Sequence, residues 1–140
     1  MRINASEWRV LVIDDDHDNL ELAADVLGFA GATVAVADSG QAGLEIVNQC
    51  HPTIILLDLA MPGLDGWSVY QTLRSRPELD SVPIIALTAH AMRGDAEKAF
   101  DAGFDGYITK PFRIQGLLEE IAACVQSFAD RKGLGEPGHD

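Results

Sequence analysis

The chain has 140 residues, of which 47% are hydrophobic and 23% are charged, and this length suits one domain with a substantial core. Its 22 acidic and 10 basic residues give a formal net charge of −12, which disfavours binding to nucleic-acid phosphates and to anionic membranes. No apolar run approaches the roughly 18 residues that a membrane-spanning helix needs. The first ten residues contain no secretory signal, so we expect a cytoplasmic protein.

Short apolar runs alternate with longer amphipathic runs along the chain. The short runs are rich in Val, Ile and Leu, which is typical of strands buried on both faces. They predict strands at 9–15, 32–38, 52–58, 82–88 and 105–110. The amphipathic runs predict helices at 17–31, 39–50, 64–76, 92–103 and 113–131. This alternation predicts an α/β fold, a five-stranded parallel sheet with five helices covering both faces.

The predicted elements form one domain, which we expect to span residues 9–127. Residues 1–8 are interpreted as an N-terminal extension. Residues 128–140 end in a Gly-rich, charged segment and are interpreted as a flexible C-terminal tail.

Polar residues stand at the ends of four predicted strands. Asp14 and Asp15 end the first, Asp58 the third, Thr88 the fourth and Lys110 the fifth. In open α/β sheets, ligands bind beyond the carboxyl ends of the strands. Three converging carboxylates would raise one another's pKa values, and Mg²⁺ would relieve their repulsion. With a lysine and a hydroxyl nearby, these groups are suited to phosphoryl transfer onto Asp58 as the nucleophile.

Four motifs in order identify a family resemblance: "VLVIDDD", "LLDLAMPGLDG", "LTAHA" and "YITKPF". Over residues 9–127 the chain resembles the receiver domain of two-component response regulators, and is similar to the single-domain chemotaxis regulator. The resemblance implies a flavodoxin-like, doubly wound sheet with the strand order 2-1-3-4-5. That order makes the first and third strands neighbours, so Asp14 and Asp15 would lie beside Asp58.

The resemblance also implies a role for each site residue. Asp58 would be the phosphoacceptor. Asp15 and Asp58 would coordinate Mg²⁺ (or Mn²⁺) directly, with Asp14 completing the acidic pair and the backbone carbonyl of Ala60 as a further ligand. Thr88 would donate a hydrogen bond to one phosphoryl oxygen, and Lys110 would pair with another.

Four further positions follow from the same resemblance. Pro111 would aim Lys110 into the site, and Tyr107 would be the switch aromatic that moves when Thr88 shifts. Ala60 and His90 occupy the positions that tune how long the phosphoryl group persists. Both differ from the commonest residues of the family, which leaves the lifetime of the phosphorylated state open.

The resemblance implies a signalling protein without a separate turnover substrate. It would accept phosphate from a histidine kinase or a histidine phosphotransfer protein, which would dock near Asp16, Asn19 and the loop at Pro111 and Phe112. The signal would leave through an unidentified downstream protein or by onward phosphotransfer. The phosphoprotein would lose its phosphate slowly by its own hydrolysis, and we expect a monomer.

Two other functions remain as alternatives. A small aspartate-dependent phosphatase would use Asp14 as nucleophile and Asp16 as general acid. It should carry an acidic pair soon after Lys110, but the next acid is Glu119, within the last predicted helix. A flavin-binding module of the same fold would need a Ser/Thr/Gly-rich phosphate loop after the first strand, and no such loop follows it.

Overall fold

The computed structural model describes residues 4–63, 65–88, 95–110 and 114–133 of the chain. Within these ranges it has a five-stranded parallel sheet in the order β2-β1-β3-β4-β5, which confirms the predicted fold class and order. The strands are β1 Arg9–Ile13, β2 Thr33–Ala37, β3 Ile54–Asp58, β4 Ile84–Thr88 and β5 Gly106–Thr109. The helices are α1 His17–Phe29, α2 Gly40–Cys50, α3 Gly66–Arg74, α4 Asp95–Ala102 and α5 Ile114–Lys132. Short 3₁₀ helices occupy Ala5–Glu7 and Pro77–Leu79.

The core has two layers because successive strand side chains point to opposite faces of the sheet. Val10 and Val12 pack under α1 and α5, whereas Leu11 and Ile13 pack under α2, α3 and α4. All five residues of β3 are buried, as are all five of β4. This two-sided burial is the physical reason for the continuous apolar runs in the sequence.

Side chains at the start of three helices fix where each helix begins. Asp16 accepts hydrogen bonds from the backbone N–H groups of Asp18 and Asn19 at the start of α1. Ser39 accepts a hydrogen bond from the backbone N–H of Ala42 at the start of α2, and Asp65 accepts one from a backbone N–H group in the first turn of α3. Each cap pairs a backbone donor that the helix itself leaves unpaired.

Residues on both sides of the expected domain, residues 9–127, pack against it. The helix α5 continues to Lys132, and Phe128 is only 2% exposed, so the first part of the segment 128–140 packs as helix. Ala5, within the expected extension at residues 1–8, is also buried. Ala5 and Phe128 are thus buried in the apolar core, which composition alone does not reveal. Among the described residues, no helix combines the length and hydrophobicity that crossing a bilayer requires.

Candidate functional site

The strand register brings the predicted site residues together. Ile13 lies opposite Leu57, so Asp14 and Asp58, the next residues, meet at the same edge of the sheet. Asp58 in turn lies opposite Leu87, one residue before Thr88. Parallel strands carry their carboxyl ends to one edge, and the shared register sets the depth of each side chain.

Lys110 lies between two buried carboxylates. Its Nζ is 3.1 Å from Oδ2 of Asp14 and 3.2 Å from Oδ2 of Asp58. Asp14 is fully buried and Asp58 is 2% exposed, while the lysine side chain is 11% exposed. A buried ion pair is maintained only where close partners offset the cost of removing its charges from water. Lys110 therefore offsets the burial of both carboxylates.

Three carboxylates at this edge could hold a metal ion. Asp14, Asp15 and Asp58 each offer an oxygen, and these oxygens lie within 4.8 Å of one another. Asp15 is exposed, while the other two are buried, so the cluster opens to solvent on one side. An all-oxygen set with an open side fits Mg²⁺, which prefers oxygen ligands and keeps several of its waters.

Burial and the neighbouring charges together perturb the pKa values of two groups in this cluster. Burial raises the pKa of Asp14 to about 6, and the charge of Asp58 adds to this effect. The hydrogen bond from the N–H of Asp16 and the charge of Lys110 act in the opposite direction. Burial by itself would lower the pKa of Lys110, but the two carboxylates outweigh it and raise that pKa. Excess negative charge of this kind is what a divalent cation neutralises.

Both oxygens of Asp58 have partners. Oδ1 accepts a hydrogen bond from the backbone N–H of Ala60 at 3.0 Å, and Oδ2 faces Lys110. The Ala60 contact is therefore through its N–H, and the small, exposed side chain of this residue leaves the approach to Asp58 open.

Gly66 packs against the backbone at Asp58 and Leu59, and the sequence interpretation gave it no role. Its N–H donates to the carbonyl of Leu59 at 3.4 Å. A Cβ at this position would lie 2.6 Å from Cα of Leu59 and closer still to the carbonyl oxygen of Asp58. Only glycine allows the start of α3 to approach the end of β3 this closely. The usable signal was a glycine directly after Asp65, a residue type that often caps helices, near the start of the helix predicted at 64–76.

The other predicted residues fall in two groups. Thr88 is 6% exposed at the end of β4, and Tyr107 is half-buried in β5 opposite Ala86. His90 and Pro111, together with Phe112, lie outside the described residues.

Comparisons with known proteins agree with this geometry. The chain matches the response regulator receiver domain over residues 10–122. It is similar to the response regulator MprA of Mycolicibacterium vanbaalenii, with 36% identity over 128 residues, 91% of this chain and 54% of that protein. It is also similar to the polar-differentiation response regulator DivK of Brucella ovis, with 33% identity over 116 residues, 83% of this chain and 94% of that protein. The chain thus spans about half the length of MprA and nearly all of DivK.

A solved receiver domain has the same fold. The receiver domain of a Francisella response regulator superposes with a TM-score of 0.75 at 29% identity, covering 86% of this chain and 98% of that one. Receiver domains bind Mg²⁺ at an acidic pocket and interact with histidine kinases or phosphotransfer proteins and with downstream targets. They act as signalling switches and not as classical enzymes, so the phosphatase alternative is not favoured. This chain belongs to the response regulator receiver domain family, whose domains act as phosphorylation-activated switches in two-component signalling.

Proposed function

We propose that Asp58 is the phosphoacceptor and that it takes its phosphoryl group from a phosphohistidine donor. One carboxylate oxygen attacks phosphorus in line, the phosphorus–nitrogen bond breaks, and the imidazole leaves with the electron pair. The product is an acyl phosphate on Asp58. The observation that carries this proposal is the position of Lys110 between two buried carboxylates, at 3.1 Å and 3.2 Å, since its ammonium can move onto the arriving phosphoryl oxygens.

Metal binding is the second part of the proposal. Asp15 and Asp58 would coordinate Mg²⁺ (or Mn²⁺) directly, with Asp14 completing the acidic group and the Ala60 carbonyl as a further ligand. The bound cation would neutralise the charge that builds up on the phosphoryl oxygens. The all-oxygen cluster and the raised pKa of Asp14 support this assignment.

The switch is proposed to start at Thr88 and Lys110. The phosphoryl group adds negative charge, which draws the hydroxyl of Thr88 and the ammonium of Lys110 towards it. Lys110 must then loosen its contact with Asp14. Tyr107, half-buried on the adjacent strand β5, would follow Thr88 and shift the population of conformers at the α4–β5 side of the domain.

Partners and lifetime complete the proposal, with residues 9–127 as the functional unit. A histidine kinase or phosphotransfer protein would dock near Asp16 and Asn19, and the signal would pass to a downstream protein or phosphotransfer partner from a monomeric domain. Ala60, with His90, would set the rate of slow self-hydrolysis. Replacing Ala60 with glutamate should change the decay constant of the phosphoprotein while leaving Asp58 as its phosphorylated residue.

The phosphoacceptor assignment can be tested with acetyl phosphate and Mg²⁺. Intact mass should reveal one labile phosphoryl group on the wild-type chain and none on Asp58→Asn. The matched control is Asp38→Asn, because Asp38 also follows a strand at this edge but is exposed and pairs with His17. This control should be phosphorylated like the wild type.

Two results would contradict the proposal. One is unchanged phosphorylation of the Asp58→Asn variant. The other is multiple turnover of a phosphomonoester that requires Asp14 and not Asp58, which would establish the phosphatase alternative.

A further inference from the structure

The edge strand β2 lacks the features that usually protect a sheet edge. It pairs with β1 on one side and is the last strand of the sheet. Its sequence, TVAVA, contains no charged residue and no proline, and Val36 is 42% exposed. Natural edge strands are usually blunted by charges, prolines or bulges because a bare edge can pair with another chain. The sequence of β2 therefore leaves this edge open to strand pairing.

The backbone of β2 presents hydrogen-bonding groups on its open side. The N–H of Thr33 donates to the carbonyl of Trp8, and the carbonyl of Ala37 accepts from the N–H of Asp14. Odd-numbered residues of the strand thus face β1. Since this direction alternates from residue to residue in a parallel ladder, Val34 and Val36 direct their N–H and C=O groups away from the sheet.

A cleft of about 480 Å³ runs over this edge between α1 and α2. Leu20 and Ala24 line its α1 wall, and Ala42 and Ile46 line its α2 wall. Val36 is among the β2 residues between the two walls. An added strand would send alternate side chains into the α1 half and the α2 half. A docked helix would leave the outward groups of β2 without backbone partners, so the cleft favours an extended segment.

Charge at the rim of the cleft indicates which kind of segment would bind. Glu21 and Asp38 lie at the rim, and His17 contacts the Asp38 carboxylate at 3.2 Å. The whole chain has a net charge of −12. A lysine or arginine on the incoming segment would complement this rim. A second copy of the chain would bring the same two carboxylates and would be repelled.

We propose that β2 binds an extended segment of a partner protein by strand addition. The segment carries small or β-branched apolar residues at its centre and a basic residue at the end that lies beside Glu21 and Asp38. This binding function goes beyond the phosphoacceptor switch and uses neither Asp58 nor Lys110.

The probe for this proposal is a synthetic library of blocked hexapeptides. The four central positions are drawn from Ala, Val, Ile and Thr, and the two ends from Lys, Gln and Glu. The bound fraction should be enriched in Lys over Glu at one end by at least about threefold, the scale of an exposed ion pair. Amide hydrogen exchange at Val34 and Val36 should slow when the selected peptide binds. A copy of that peptide N-methylated at its alternate, sheet-facing amides should lose most of this protection.

Val36→Lys should abolish the selective binding of library peptides because it places a charge on the open edge inside the cleft. The matched control, Thr33→Lys, adds the same charge to an exposed residue of the same strand outside the cleft and should retain binding. Both variants should keep the wild-type amide spectrum and accept phosphate from acetyl phosphate. Four results would each overturn the proposal. They are a library without selection, slowed amide exchange outside β2, a bound peptide that is helical, and self-association of the chain through β2. Loss of phosphorylation in Asp58→Asn has no bearing on this outcome.

Discussion

Replacing Gly66 with alanine should displace the phosphoacceptor, although alanine is the better helix former. Gly66 is the first residue of α3 and is buried against the end of β3. In an open helix the same replacement stabilises a protein by about 0.4–1 kcal/mol. Here the new Cβ would lie 2.6 Å from Cα of Leu59, whereas carbon atoms pack at about 3.5–4.0 Å. The backbone at the end of β3 or at the start of α3 must therefore move by about 1 Å.

The clash should outweigh the helix preference. Overpacking of a buried site costs about 1–3 kcal/mol, so the free energy of unfolding should fall by about 1–2 kcal/mol despite the gain in propensity. Asp58 shares the crowded peptide backbone, and its carboxylate must stay aligned with Lys110. A misplacement of about 1 Å in a reacting group can slow a reaction about a hundredfold. We expect the rate of phosphorylation by acetyl phosphate to fall by about that factor.

Gly28→Ala is the matched control because a Cβ at this exposed position of α1 meets nothing within 4 Å. It should raise the free energy of unfolding by about 0.4–1 kcal/mol and leave the phosphorylation rate unchanged. Urea unfolding measures the first quantity, and intact mass against time measures the second. A Gly66→Ala variant that phosphorylates at the wild-type rate would refute the claim that Gly66 positions Asp58. One that is also more stable would refute the steric reasoning itself.

Asp14 should make the metal-free protein less stable as the pH rises, because its pKa is about 6 in the folded state against an ordinary value of 3.8. The folded state binds this proton more tightly, so its contribution is present at low pH and lost between about pH 4 and pH 6. Relative to Asp14→Asn, the free energy of unfolding of the wild type, measured in urea, should fall by about 1–2 kcal/mol between about pH 5 and pH 7. Parallel pH curves for the two proteins would contradict this. The Mg²⁺ affinity measured by calorimetry should rise over the same interval as Asp14 loses its proton, and a flat profile would exclude Asp14 from the metal site. Arg74→Met should lower the free energy of unfolding by about 3 kcal/mol, because the buried Asp105 loses the guanidinium that lies 2.5 Å away in the wild type. Arg76→Met, which removes hydrogen bonds to Asn48 and a backbone carbonyl, should lower the free energy of unfolding by about 1 kcal/mol. Equal losses in the two variants would show that the ion pair with Asp105 stabilises the protein no more than these hydrogen bonds do.

Several features of the site could be predicted because they depend only on where strands end. Asp58 follows an unbroken apolar run, and such a run is buried on both faces wherever it lies in a parallel sheet. The same holds for Thr88 and Lys110 at the ends of β4 and β5. Alternation of strands and helices predicts that the sheet is parallel, and hence that these ends share one edge. The order of the strands required the family resemblance.

Other features depend on contacts between distant parts of the chain. Asp105 was interpreted as the start of a strand, yet it accepts hydrogen bonds from the guanidinium of Arg74 and the N–H of Ile84. Gly66 falls within the helix predicted at 64–76, and only the structure places it against the end of β3. Local periodicity contains no information about such pairings, because it is set by neighbours within a few residues.

The sequence by itself determined the element types, the parallel sheet and the chemical groups at its carboxyl edge, because burial on two faces selects apolar strands and leaves polar residues at their ends. Tertiary structure decided how those groups interact. Lys110 and Asp14 are 96 positions apart, and only the register of the strands brings them to 3.1 Å. That register fixes the pKa of Asp14 and the pairing of Asp58. The order of the strands leaves β2 at the sheet edge, where its outward backbone groups are available for the strand addition proposed above.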